Sequence, residues 1–304
     1  MNTYMAFDLG GTNLKYAVID ERGTILEKGK VKTPQSDLQE LLSILHSITK
    51  TYKEKYSLKQ VAMSCPGAID TQSGYIGGES AVKYIHGPNM VDLISQATGL
   101  DVTIENDANC AALAELWLGN AKAYHDVIFV VIGSGIGGAI VKDKKIHYGK
   151  HLHGGEFGYM LVKKELNSDR YLNWSETSST YALIENVAKR KNVPMDSLNG
   201  EMIFKLASEN DRDCIIELDE WYHTLAIGIF NLQYIYDPEI ILIGGGVSEN
   251  ENLITELNKR VHELVNNNGY AKVMPLINKC YFHNDANLIG AVYGAMNSLK
   301  LNQE

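Results

Sequence analysis

Short apolar runs bounded by glycine or charge dominate the start of the chain. The segment YMAFDLGGTNLKYAVIDERGTILEKGKVKT predicts three strands: a run reaching Asp8, a Gly-Gly turn, a second run ending near Asp20, and a third after the Glu21–Gly23 turn. Leu38, Leu41, Leu42, Leu45 and Ile48 then recur at helical spacing. QVAMSCPGAID reads as a short buried strand ending at Pro66-Gly67, and NMVDLISQATGL as a helix closed by Gly99. DVTIEND is a strand, and ANCAALAELWLG an Ala/Leu-rich helix ending at Gly119.

The pattern then restarts. DVIFVVIGSGIGGAIVKDKKIHYG is again strand, Gly-rich turn, strand, charged turn, strand. Helical stretches follow around 178–190 and 201–235, stopping near Pro238. EIILIGGGVSENENLITELNKRVHELV predicts a buried strand, a glycine turn and an amphipathic helix with Leu253, Ile254, Leu257, Val261 and Leu264 on its apolar side. NDANLIGAVYGAMNSL closes the chain as a helix. Two halves share a layout without sharing a sequence. This predicts an α/β protein of two lobes, 1–118 and 119–286, with the closing helix 287–304 joining the first.

The length, 304 residues, allows two modest domains or one large one, and 45% hydrophobic residues supply a core. A formal charge of −9 argues against a nucleic-acid partner. The N-terminus MNTYMAFDLG has no basic segment followed by a long apolar stretch, so no signal peptide is expected. No apolar run is long enough to predict a membrane span. Cys65, Cys110, Cys214 and Cys280 are far apart, which fits reduced thiols and opposes a paired-cysteine zinc site. A cytoplasmic protein is the expectation.

Three glycine turns end strong strands: DLGGTN (Asp8–Asn13), GSGIGG (Gly133–Gly138) and GGGVS (Gly244–Ser248). Each is either a tight turn or a phosphate cradle, with glycine allowing positive φ and exposing N–H groups. GSGIGG formally matches a dinucleotide fingerprint, but the residues after it alternate like a hairpin where that motif needs a helix. Asp8, at the end of its strand, either caps its turn or orients a hydrated Mg2+ against phosphate. Asn106 and Asp107 lie at a strand-to-helix junction, where either is a natural N-cap. A helix N-terminus also keeps a carboxylate ionised, so Asp107 is a candidate general base for phosphoryl transfer.

FDLGGTNLK, SCPGAID, IENDANCAALAE, IGSGIGGAIV, GGEFGYM, IILIGGGV and NDANLIGAVYGA, in that order, resemble the ROK family of sugar kinases and repressors. The resemblance covers nearly the whole chain. It implies the actin-like ATPase fold, a duplicated ribonuclease H-like arrangement whose two lobes close on ATP and sugar. It also implies a homodimer. Residue by residue it implies that Asp8, Gly10, Gly11, Thr12 and Asn13 face the ATP phosphates and Mg2+, and that Gly133, Ser134 and Gly135 form the second phosphate turn. Gly244, Gly245 and Gly246 would lie near the nucleoside. Asp107 would be the catalytic base, with Asn106 and Glu156 binding sugar hydroxyls and Glu176 matching a later sugar-binding glutamate.

Two departures matter. Tyr159 stands where many members have a histidine, and residues 160–176 lack the cysteines that accompany it, so the family's structural zinc is not expected. His151 and His153 read as incidental. The N-terminal DNA-binding domain of the family's repressors is not expected either. GEFGYM without the cysteines, IENDANC and NDANLIGAVY are most similar to the β-glucoside kinase branch. That branch phosphorylates the 6-hydroxyl of the non-reducing glucose, and Tyr159 would face the larger glycoside. The competing expectations are a glucokinase, an N-acetylmannosamine kinase, and a sugar-sensing regulator without catalysis. Cys65 and Cys110 have no histidine at a recognisable spacing, so packing outweighs a nucleophilic role.

Overall fold

The computed structural model describes residues 2–301. Positions 1 and 302–304 of the expected lobes lie outside the described residues. The chain divides into two compact units. The first is Met1–Lys122 with Tyr148–His153 and Asn284–Glu304, and the second is Ala123–His147 with Gly154–His283.

In the first unit, β1 (Thr3–Leu9), β2 (Asn13–Asp20) and β3 (Ile25–Lys32) form an antiparallel meander. Helix α1 (Leu38–Lys53) leads to β4 (Leu58–Cys65), which runs parallel to β1. After the short pair β5 (Ala68–Ile69) and β6 (Ile76–Gly77), α2 (Met90–Thr98) leads to β7 (Asp101–Asn106), parallel to β4, and then to α3 (Asp107–Leu118). The strand order is β3-β2-β1-β4-β7. Asp37 starts α1 by accepting from the Gln39 N–H, and Gly99, at φ 64, ends α2.

The two faces of this sheet are built differently. Met5, Phe7, Leu9, Val61 and Met63 present bulk to Leu41 and Leu45 of α1 and to Met90 and Ile94 of α2. The alternate positions Ala6, Asp8, Ala62 and Ser64 are small or polar, and all are buried. A strand covered on both faces cannot show polar alternation, which is why β1 reads as one continuous run.

The second unit repeats the plan. The strands β8 (Val127–Ile132), β9 (Ile136–Lys142) and β10 (Lys145–Ile146) form its meander. The hairpin of β11 (Leu161–Lys164) and β12 (Tyr171–Asn173) precedes α4 (Trp174–Ser178), α5 (Thr180–Lys191), α6 (Gly200–Ser208) and α7 (Arg212–Tyr236). Then β13 (Ile240–Gly244), α8 (Leu253–Asn267) and β14 (Ile277–Lys279) complete the order β10-β9-β8-β13-β14, the same permutation as in the first sheet. The stretch 201–235, expected as continuous, is broken. Asn210 takes a left-handed φ of 70°, and Asp211 caps α7 by accepting from the Cys214 N–H. On α8, Leu253, Leu257, Val261 and Val265 are buried, while Ile254 and Leu264 lie at the margin of the same face. Trp174 is fully buried, donates to the Thr224 carbonyl at 3.1 Å, and lies where a side chain on Gly228 would collide with its ring.

The chain then returns to the first unit as α9 (Ala286–Leu301), which packs on α3 and across β1, β4 and β7. The small residues of that sheet face leave room for it. A Cβ on Gly290 would collide with the backbone oxygen of Cys110, whereas one on Gly294 would meet Leu113 Cδ1 at 3.4 Å, an ordinary contact. No described helix is long and apolar enough to cross a membrane.

This close approach predicts opposite effects for two similar substitutions. Gly290→Ala is expected to destabilise by about 2 kcal/mol through overpacking. Gly294→Ala is expected to stabilise by about 0.5 kcal/mol through helix propensity. Urea denaturation of both variants beside the wild type checks the pair.

Candidate active site

In the first unit the carboxyl ends of three parallel strands bring Asp8, Ser64 and Glu105 into one register row. Ligands of α/β sheets bind beyond such ends. Asp8 is 7% exposed. Its Oδ1 accepts from Ser64 Oγ at 2.9 Å and from Asn287 Nδ2 at 3.0 Å, while Oδ2 faces Lys15 Nζ at 3.5 Å. The turn beyond it is tied down: Gly10 N–H donates to the Asn13 carbonyl at 3.1 Å, Thr33 Oγ1 to the Gly10 carbonyl at 2.7 Å, and Thr33 N–H to the Thr12 carbonyl at 3.1 Å.

Gly10, Gly11, Gly133 and Gly135 do not adopt the positive φ expected of them. Gly11 is required for space instead, because a Cβ would lie 2.9 Å from Ala81 Cβ. In the third turn Gly244 and Gly246 do not adopt it either, but Gly245 has φ 90, and a Cβ there would also strike the Ile132 carbonyl.

Asn106 is the N-cap of α3. Its Oδ1 accepts from the Asn109 N–H at 3.1 Å, and its Nδ2 donates to the Gly67 carbonyl at 3.0 Å. Asp107 is the first helical residue, with Oδ1 accepting from the Ala108 N–H at 2.8 Å. The helix N-terminus favours its negative charge. Glu105, which the sequence reading passed over, lies just beneath. It is 7% exposed, and Oε1 accepts from Asn106 N–H at 2.8 Å and Asn109 Nδ2 at 3.0 Å. Its Oε2 accepts from the Tyr148 hydroxyl at 2.6 Å. Burial raises the Glu105 carboxyl above the usual carboxylate range, while the bonds from Tyr148, Asn109 and Asn106 pull it down.

A usable signal for these partners was in the sequence. Asn-Asp-Ala-Asn occurs twice, at 106–109 and at 284–287. The fourth residue of each copy donates to a strand-end carboxylate, Asn109 to Glu105 and Asn287 to Asp8. Cys65 and Cys110 are fully buried, and burial pushes both thiols up, away from the reactive thiolate.

In the second unit, the turn between β8 and β9 is closed by Gly133 N–H donating to the Gly135 carbonyl at 2.9 Å. The Gly133 carbonyl accepts from the Thr180 N–H at 2.9 Å, at the start of α5. Beside Gly133 and Ser134 opens a cavity of about 890 Å3. Ile184, Phe204 and Val247 give it apolar walls, with Tyr181, Asn199 and Asn250 also on its lining. Gly246 borders it, and a Cβ added there would meet nothing within 4 Å, whereas Gly135, Gly244 and Gly245 stand outside the lining. An apolar hollow with a few polar groups, ending at a turn with open backbone, fits a nucleoside and its phosphates. Tyr181, Asn199, Phe204 and Asn250 carry no local motif, so the sequence reading had no signal for them.

Glu156 and Tyr159 are exposed, Tyr159 at 72%. No hydrogen bond or ion pair reaches the Glu156 carboxylate among the described residues. What requires glycine is the packing of the loop on β9: a Cβ on Gly155, which has φ 99, would lie 2.5 Å from the Gly138 carbonyl, and one on Gly158 would collide with the Ile136 carbonyl. Phe157 is thereby buried, and Glu156 is left pointing out of a fixed backbone. Glu176 is already engaged. It completes a capping box with Asn173, accepting from that N–H at 2.9 Å, and pairs with Arg170.

Among the described residues no group of three or more His, Cys, Asp or Glu side chains could hold a metal ion. His153 Nδ1–H donates to the His151 carbonyl at 2.6 Å. Mg2+ that arrives with a nucleotide needs only one or two carboxylates besides phosphate and water. Asp8, with Oδ1 satisfied and Oδ2 facing a lysine, fits that role.

The ROK family profile matches residues 4–297. A β-glucoside kinase of Klebsiella pneumoniae is 35% identical over 95% of this chain and 94% of its own. A β-glucoside kinase of Listeria monocytogenes is 32% identical over 95% of each chain. The solved structure of a ROK family protein from Streptococcus pneumoniae in complex with sucrose superposes with a TM-score of 0.89 at 35% identity, covering 98% of this chain and 99% of that one.

The Glu105 network generates a prediction with a sign. Each donor lowers the Glu105 pKa, so Tyr148→Phe raises it further. The folded state then keeps this proton to a higher pH than the unfolded chain does, and stability falls as pH rises through that interval. The variant is expected to lose about 2 kcal/mol at pH 8 and less at pH 5. Urea unfolding at the two pH values checks it.

Proposed function

Since the chain belongs to the ROK family, we propose that this ATP-dependent carbohydrate kinase phosphorylates the 6-hydroxyl of the non-reducing glucose of β-glucosides such as cellobiose. The observation that carries the reading is Asp107, a carboxylate at a helix N-terminus beside the strand-end row of Asp8, Ser64 and Glu105. The 35% identity to a β-glucoside kinase supports the choice of acceptor. The actin-like ATPase fold of the chain is the scaffold common to this chemistry.

Each unit contributes its own parts. In the first, Asp107 accepts the proton of the attacking hydroxyl as the bond from O6 to the γ-phosphorus forms and the bond to the bridging oxygen of ADP breaks. Asn106 holds a sugar hydroxyl, with its own orientation fixed by Gly67 and Asn109. The N–H groups of Gly11, Thr12 and Asn13 meet phosphate oxygens, while that of Gly10 closes the turn on the Asn13 carbonyl. Asp8 would hold an Mg2+ ion arriving with the nucleotide, which would supply positive charge there. In the second unit, Ser134 and Gly135 offer N–H groups to phosphate, the Gly133 N–H closes the turn on the Gly135 carbonyl, and Gly246 borders the nucleoside. Glu156 is free to accept from sugar hydroxyls, and exposed Tyr159 offers a ring to the aglycone. Glu176 can reach a sugar only by sharing its carboxylate with Arg170. A cytoplasmic homodimer belongs to the same reading.

Asp107→Asn is expected to lower kcat about a thousandfold while leaving cellobiose affinity within a factor of about three. Full turnover by that variant would sink the assignment. ATP consumption with cellobiose, glucose and N-acetylmannosamine compares the acceptors: cellobiose should give the highest kcat/KM. A preference for either monosaccharide would move the reading to a glucokinase or an N-acetylmannosamine kinase. Sugar binding with no transfer to any of them would point to a regulator.

A further inference from the structure

One pair of side chains in the first unit has no part in the roles above. Ser80 Oγ lies 2.8 Å from His86 Nε2, and His86 Nδ1 faces the Ile76 carbonyl at 3.3 Å. A carbonyl only accepts, so Nδ1 carries the imidazole proton and Nε2 the lone pair. Ser80 is therefore the donor to Nε2. The Val82 N–H donates to the same Ser80 oxygen at 3.2 Å and does not compete for its proton. The Val82 carbonyl is another acceptor in reach, at the longer distance of 3.3 Å. A hydroxyl bonded to a neutral imidazole, whose second nitrogen is oriented by a third group, is the arrangement that activates a serine nucleophile.

The place of this pair in the fold matters as much as its geometry. Ala81, the next residue, packs on the first glycine turn, since its Cβ is the atom that a side chain on Gly11 would strike. On the other side, a Cβ on Gly67 would lie 3.2 Å from His86 Cε1, and the Gly67 carbonyl holds Asn106 Nδ2 at 3.0 Å. Ser80 is thus one residue from a turn read as a phosphate cradle, and its imidazole backs the glycine that fixes Asn106. Buried Val82 and Ile85 pin the segment to the core, and Tyr84 donates to the Pro34 carbonyl at 2.8 Å. Ser80 itself is half-buried between exposed Glu79 and exposed Ala81, so the residue is open to a ligand. Its bonds to Val82 already close the local turn without the imidazole.

We propose that Ser80 is a second phosphate acceptor of this kinase, phosphorylated from ATP when no sugar occupies the site. The proposal rests on the functional reading above. Ser80 Oγ attacks the γ-phosphorus. The Oγ–P bond forms, the bond from phosphorus to the bridging oxygen breaks, and ADP leaves with that electron pair. The hydroxyl proton passes to His86 Nε2. The product is a phosphoserine beside an imidazolium, a charge-assisted pair. The new negative charge lies next to the turn that ATP must use, so the modified chain is a slower sugar kinase. A bound sugar offers a better-placed hydroxyl and suppresses the reaction.

The test incubates wild type with ATP and Mg2+, with and without saturating cellobiose, and reads it by intact mass and peptide mapping. Ser80→Ala and His86→Gln are treated alike, and thermal melts establish that both are folded. One phosphate is expected on Ser80 of the wild type, at a rate independent of protein concentration and lower with cellobiose present. Ser80→Ala should stay unlabelled. His86→Gln keeps a hydrogen-bond acceptor but loses the base, and should label about a hundredfold more slowly. Labelled wild type should phosphorylate cellobiose more slowly than unlabelled protein. Phosphate on other residues only, or His86→Gln labelled as fast as wild type, would overturn the proposal. Wild type that phosphorylates cellobiose yet stays unlabelled in its absence would overturn the proposal and leave the functional reading standing. Wild type that transfers phosphate neither to any sugar nor to itself would overturn both.

Discussion

Two buried carboxylates at the ends of the parallel strands β1 and β7, on either side of β4, set the terms for the first unit. Asp8 and Glu105 are each 7% exposed, and a carboxylate taken out of water without donors costs several kcal/mol. Each is supplied with side-chain donors, and each receives one from the fourth residue of an Asn-Asp-Ala-Asn segment. For Glu105 that segment follows directly in the chain. For Asp8 it lies 279 residues away. The charge at the end of β1 is therefore satisfied only once the C-terminal helix has come back.

That requirement explains the asymmetry of the first sheet. A face that must receive two helix ends carrying polar groups cannot also carry bulky apolar side chains. Ala6, Ala62 and Ser64 keep it shallow, and Gly290 lets α9 touch the backbone of α3 at Cys110. The bulk is moved to the opposite face, where Phe7 and Met63 meet α1 and α2. Small side chains under α3 and α9 thus bring the helix ends to the strand ends where the acids are.

Much of this was legible in the sequence. The strand meanders at 3–32 and 127–146 announced themselves through short apolar runs punctuated by glycine and charge, and Asp37, Gly99 and Asn106 act as the caps that their residue types suggest. The break at 209–211 was missed because the apolar period continues on both sides, and only the capping by Asp211 and the left-handed Asn210 divide it. The glycines were found for the right positions and partly the wrong reason. At Gly11, Gly155 and Gly158 a neighbouring atom, absent from any local window, forbids a side chain.

The sequence by itself determined the strand and helix types, the repeated plan and the position of Asp107 at a helix start, because each depends on residues within one turn or one strand of each other. Only the tertiary structure decided which groups serve the acids. Asn287, Ser64 and Tyr148 reach Asp8 and Glu105 across 279, 56 and 43 residues. It also decided that Glu156 is left open, on a loop whose backbone is fixed by its packing on β9. Hydrogen bonds between distant segments are fixed by packing, and packing is a property of the folded chain.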